Sequence, residues 1–147
     1  MPTEKQRLGE MGERAVTSTA ACPRCKRDGT LRRLRVNFKC ADIICDFCGF
    51  LAQVKTKSVM DIDVLPSSVL GAAWGPMQER LEAGIYFPLY LVLVAGRRRS
   101  IWYLAADLQT RDMFRPRNPL GPKARRAGWQ GFTYDFGQVT DAFVRVR

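Results

Sequence analysis

Between Thr3 and Thr19 the apolar residues Leu8, Met11 and Ala15 recur at helical spacing, with Glu10, Glu13 and Arg14 left on the surface. Thr3-Glu4-Lys5-Gln6 has the form of a capping box, so this segment is predicted to be a helix. From Leu34 to Asp42 the pattern alternates, with Leu34, Val36, Phe38 and Cys40 on one side and charged or polar residues on the other. That period predicts a half-buried strand ending at Asp42. A second strand is expected from Phe50 to Lys57, with Leu51, Gln53, Lys55 and Lys57 on one face, and Cys45 to Cys48 form the hairpin tip between the two. Ser67 to Glu82 reads as partly helical, interrupted at Gly75-Pro76 and closed by Gly84. Strands follow at Ile85 to Val94 and Ser100 to Leu104 around the turn Ala95 to Arg99, with Pro88 expected at an edge or bulge. Phe114 to Gly131, rich in Pro, Gly and Arg, predicts a basic loop, and Phe132 to Arg147 one or two short final strands. This order implies an α/β class with a mixed α+β sheet flanked by helices, in a single domain spanning 1–147.

A formal net charge of +10 favours a polyanionic partner such as nucleic acid. The apolar run Ile85 to Ala95 is too short to span a bilayer, so no membrane partner is expected. Met1 to Arg7 lacks the apolar stretch of a secretory signal, which points to a cytoplasmic protein. The sequence contains no histidine, which removes Ser-His-Asp and Cys-His hydrolases from consideration.

In a reducing compartment paired cysteines hold metal more readily than they form disulfides. Cys22-Pro-Arg-Cys25 and Cys45-Asp-Phe-Cys48 have the spacing of two knuckles around one tetrahedral Zn²⁺, a closed and therefore structural site. Cys40 shares its parity with Val36 and Phe38 and is expected to be a packed thiol. Gln53 and Lys55 lie on one sheet face, and the hairpin brings Asp42 back beside them. Metal-dependent phosphodiester hydrolysis needs an oxygen ligand for Mg²⁺, a group acting on water and a cation at the phosphate. Asp42, the Gln53 carbonyl and Lys55 can supply these, although from spacing alone an Asp at a strand end and a Lys on a strand read more readily as solvated surface.

Asp42 followed by Gln53-Val54-Lys55 resembles the Asp…(Asp/Glu)-x-Lys signature of the PD-(D/E)XK nuclease superfamily, with Ala41 where Pro is usual. More narrowly, the Cys-Pro-x-Cys knuckle, Ala41-Asp42 leading into Cys45 and Cys48, and the string Ala124-Arg125-Arg126-Ala127-Gly128-Trp129 resemble DpnI-type, methyl-directed restriction endonucleases of the Dam-replacing family. The likeness runs from about Leu8 to the end of the chain. It implies a restriction-endonuclease-like core carrying a zinc knuckle, and Mg²⁺-dependent cleavage of double-stranded DNA, methylated or unmethylated, by a monomer or homodimer. It also implies that Glu13, otherwise a surface residue, joins Asp42 and Gln53 as a Mg²⁺ ligand. Two departures accompany it: Gln53 stands where the family carries Glu, and no C-terminal winged helix follows. Lys123, Arg125, Arg126 and Trp129 are the expected DNA contacts, with solvated arginines and a buried Trp129 as the plain alternative. Arg97 to Arg99 are expected to be solvated, and Trp74 and Trp102 to be core. The function expected is thus a restriction-system DNA endonuclease, against the alternative of a catalytically silent, zinc-containing DNA- or RNA-binding module.

Overall fold

The computed structural model describes every residue except Asn37 and Lys39. Among the described residues two α-helices, α1 (Glu4–Thr19) and α2 (Trp74–Glu82), accompany nine strands. These are β1 (Leu31–Arg33), β2 (Ile43–Cys45), β3 (Leu51–Ser58), β4 (Ser68–Ala73), β5 (Leu89–Ala95), β6 (Arg98–Leu104), β7 (Phe114–Pro116), β8 (Gly131–Asp135) and β9 (Val144–Arg145). A six-stranded mixed sheet runs in the order β1-β2-β3-β5-β6-β9, and a three-stranded sheet in the order β4-β8-β7. Among the described residues only β3 and β5 pair in parallel, joined by a crossover through β4 and α2.

Strand β5 shows why the sheet is layered on both sides. Leu89, Leu91 and Leu93 pack with Trp74, Met77, Phe132 and Tyr134, whereas Tyr90, Val92 and Val94 pack with Ala15 and Val16 of α1. A strand buried on both faces reads as a continuous apolar run, which is what the sequence carries here. Helix α1 begins at the expected capping box, with the Gln6 amide on the Thr3 hydroxyl and Gln6 Oε1 on the Thr3 amide. It lies so close to β3 that a Cβ added at Gly12 would stand 1.7 Å from Thr56 Oγ1. The opposite face of β3, carrying Gln53, Lys55 and Lys57, looks toward the small sheet, and Lys57 donates to the Ser68 carbonyl of β4 at 2.9 Å.

Several expectations need correction. The described residues of the alternating segment Leu34 to Asp42 form no strand; the segment links the antiparallel pair β1 and β2. Leu34 N–H still reaches the Asp42 carbonyl at 2.8 Å, but beyond it Val36 is fully exposed and Cys40 turns into the left-handed region at φ 65°. The predicted positions 37 and 39 of that strand lie outside the described residues. Cys40 is the packed thiol expected, half-buried against the apolar core, but not through a shared strand face, since Val36 and Phe38 are exposed. Ser68–Ala73 is a strand rather than helix, and Gly75-Pro76 sits in the first turn of α2 instead of breaking it, because proline there forfeits no helical hydrogen bond. Pro88 is neither at an edge nor at a bulge. It directly precedes the central strand β5, where its missing N–H costs nothing and its carbonyl accepts from Gln53 N–H at 2.8 Å. Trp74 is buried as expected, Trp102 half-buried against the same core, and Arg97 to Arg99 are exposed. No helix is long and apolar enough to cross a membrane among the described residues.

Candidate active site and metal centre

The four cysteines of the two knuckles meet beneath the end of α1. Their sulfurs lie within 4.8 Å of one another, with Cys22 to Cys48 at 3.6 Å and Cys25 to Cys45 at 3.8 Å. Four sulfurs about 2.3 Å from one zinc ion stand about 3.8 Å apart at tetrahedral angles, so the set fits Zn²⁺ and leaves no open position. The two knuckles repeat one backbone pattern, Lys26 N–H to Cys22 O and Gly49 N–H to Cys45 O, both at 2.9 Å. Each turn then needs a left-handed residue, Lys26 at φ 65° and Gly49 at φ 80°. Burial pushes the Cys22 thiol up to about 12. Burial also opposes ionisation of Cys45, but the Thr30 hydroxyl and the Cys48 and Phe47 amides outweigh it and bring that thiol to about 6. A cation among them would draw off the remaining protons.

Asp42 sits where β2 begins, and the Val54 amide of β3 donates to its Oδ2 at 2.7 Å. The side chain therefore takes the ladder donor that an upstream extension of β2 would have used, and the chain before it peels away from the sheet. Asp42 borders three adjoining concavities of 430, 720 and 370 Å³. The largest is also lined by Glu13, Lys55, Lys57, Lys5, Arg126 and Trp129. Gln53 lies in the smallest, beside Asp42 and Lys55.

The electrostatics of this cleft are tightly coupled. Burial, followed by repulsion from Asp42, raises the Glu13 carboxyl above its ordinary range against the pull of Arg33, whose Nε donates to Glu13 Oε1 at 3.1 Å. Burial likewise raises Asp42, opposed by the Val54 amide and the Lys55 ammonium. Burial lowers Lys55, while Asp42 and Glu13 pull it back and Lys5 pushes it further down. Two carboxylates that repel each other in a partly desolvated cleft form a donor set suited to a hard divalent cation, which would relieve both.

A family model described as "DpnI: Dam-replacing family" matches residues 2–145. The chain belongs to the Dam-replacing family. Membership makes this a restriction-type nuclease family protein with DNA as the family's substrate class. On the Dam-replacing chain, geometry gathers Asp42, Lys55, Glu13, Arg126 and Trp129 around one cleft and places Gln53 next to it. Lys123 and Arg125 are exposed on the same loop but do not line that cleft. Arg111 and Arg115 are engaged elsewhere, over the Trp74 ring and with Asp135 respectively. Trp129 is half-buried, its ring packed by the Arg126 guanidinium 4.5 Å away and so close to Gly131 that a Cβ there would come within 2.9 Å of it.

Sequence reasoning missed Tyr134. It is buried in β8, and its hydroxyl donates to Gln53 Oε1 across a separation of 81 residues. Nothing in the alternation of β8 distinguishes it from an ordinary core aromatic. Lys5 and Lys57 were also missed, although Lys57 shares the parity of Gln53 and Lys55 and could have been found from it.

Proposed function

We propose that this protein is a Mg²⁺-dependent DNA endonuclease of a restriction system, a single PD-(D/E)XK-like domain that hydrolyses phosphodiester bonds of duplex DNA in the cytoplasm. The observation that carries the reading is the 720 Å³ cleft in which Asp42, Glu13 and Lys55 face the same space as Arg126 and Trp129. Asp42 and Glu13 would be the charged ligands of Mg²⁺, and Gln53 would add a neutral carbonyl. Bound there, Mg²⁺ supplies Lewis-acid stabilisation of charge on the phosphate. Lys55, held between the two carboxylates and the substrate, orients the scissile phosphate and the attacking water. Burial and the Lys5 ammonium hold its proton less tightly than an ordinary ammonium does, which eases proton transfer from it. Arg126, which lines the same cleft, neutralises a phosphate, Trp129 offers a flat apolar face, and Lys123 and Arg125 extend the basic track beyond the cleft.

The test is incubation of methylated and unmethylated plasmid with the zinc-loaded protein and Mg²⁺ or Mn²⁺, beside Asp42→Asn. Cutting by wild type and none by the variant is expected; equal cutting by both would remove Asp42 from the site. One observation favours a second reading, a catalytically silent DNA-binding module: position 53 holds a neutral amide where the family carries a carboxylate, one negative charge fewer for a divalent cation. Binding without cutting, converted to cutting by Gln53→Glu, would select that reading.

A further inference from the structure

A carboxylate presents oxygen to a cation whichever way it turns, but an amide does not. Rotated by half a turn, Gln53 would put NH₂ donors where its carbonyl oxygen stands, and a cation there would be repelled. Gln53 is only 8% exposed, so bulk water does little to settle the choice. The neighbour able to settle it is Tyr134, 1% exposed, whose hydroxyl finds its hydrogen-bond partner in Gln53 Oε1. If the amide were reversed, the hydroxyl would have to accept from Nε2 and its own proton would be stranded in the core, a state that folded proteins avoid. With the amide as it stands the proton is satisfied, and Oε1 keeps a second lone pair. Both residues border the 370 Å³ concavity together with Asp42 and Lys55.

We infer that Tyr134 is a positioning residue that sets which end of the Gln53 amide is offered to the cation. It does so from β8, a strand of the other sheet, through a buried hydroxyl that itself touches no substrate. The inference rests on the function proposed above, and it gives a physical condition under which glutamine can stand at position 53: a neutral ligand needs a partner to fix its direction, whereas glutamate would not. Such outer partners of metal ligands typically change metal affinity about 10- to 100-fold when removed.

The experiment measures Mn²⁺ binding directly, by electron paramagnetic resonance on zinc-loaded protein, for wild type, Asp42→Asn, Tyr134→Phe, Gln53→Glu and Tyr134→Phe/Gln53→Glu. Thermal melting of each confirms the fold. Tyr134→Phe should weaken Mn²⁺ about tenfold or more in the Gln53 background and change it little in the Gln53→Glu background. Equal weakening in both backgrounds, or none in either, would overturn the inference while a loss of binding in Asp42→Asn left the site itself standing. Absence of Mn²⁺ binding to wild type, or binding by Asp42→Asn equal to wild type, would overturn both.

Discussion

Gly12→Ala should damage this protein far more than a glycine-to-alanine change in a helix normally does. Alanine ordinarily gains about 1 kcal/mol over glycine in a helix interior. Here the new methyl would stand 1.7 Å from Thr56 Oγ1, 2.9 Å from its Cβ and 3.2 Å from its Cγ2. An ordinary contact is about 3.5 Å, so α1 must lift from β3 by well over 1 Å, and no single rotamer of Thr56 clears all three atoms. Overpacking of this kind costs about 1–3 kcal/mol, and a clash this deep belongs at the upper end. After the helical gain a net loss of about 1–2 kcal/mol remains, a fall in Tm of roughly 3–6 °C for a chain of this length. Activity should fall further, because Glu13 is the next residue on the lifted helix and displacement of a site group by about 1 Å can cost about a hundredfold. Thr56→Ala removes the clashing hydroxyl, which is buried without a hydrogen-bond partner among the described residues, and the Cγ2, leaving only the milder 2.9 Å approach to Cβ, so the double variant should recover part of the Tm. Thermal unfolding of the two single variants and the double is the assay. A Gly12→Ala protein as stable as wild type, or strictly additive effects in the double, would refute the reasoning.

Stripping the metal with a strong chelator should remove more than about 4 kcal/mol of stability, because Cys22 and Cys45 belong to the core under α1, and metal analysis should find one Zn²⁺ per chain; unchanged melting after chelation would contradict the four-sulfur site. Asp42→Asn should stabilise the fold at neutral pH. The folded carboxyl binds its proton more tightly than the unfolded one, so its penalty is absent below the ordinary carboxylate range and sets in as pH rises through the raised folded value. The gain over wild type, read by urea unfolding, should therefore shrink toward pH 4, and a variant less stable than wild type at pH 7 would contradict this sign. Arg126→Ala should weaken DNA binding and flatten the dependence of log K on log salt by about one phosphate contact, whereas an unchanged slope would take Arg126 off the DNA.

What the sequence made legible was what local rules control. The capping box and apolar spacing located α1, the period of two placed Gln53 and Lys55 on one face, and the continuous apolar run marked the central strand. The knuckle spacing located the four-sulfur cluster without any structure. What failed were segments decided by distant partners. Leu34 to Cys40 alternates like a strand, but the Asp42 carboxylate takes the Val54 amide, and the described residues before it form no strand, with Val36 in solvent. Ser68–Ala73, small and apolar, looks helical until Tyr134 of β8 pairs with Val69 and the Phe132 ring packs over Gly71. The Tyr134 contact with Gln53 and the notch between Gly12 and Thr56 join distant stretches of chain, and no local pattern announces either.

The most direct test of the central claim, that Asp42, Glu13 and Lys55 form one phosphodiesterase site, is single-turnover cleavage of a short duplex under saturating protein and Mg²⁺, with DNA affinity measured on the same samples. Lys55→Ala should lose at least about a hundredfold in rate while its Kd for DNA changes little. Cleavage by Lys55→Ala at the wild-type rate, or a loss accounted for entirely by weaker DNA binding, would contradict it.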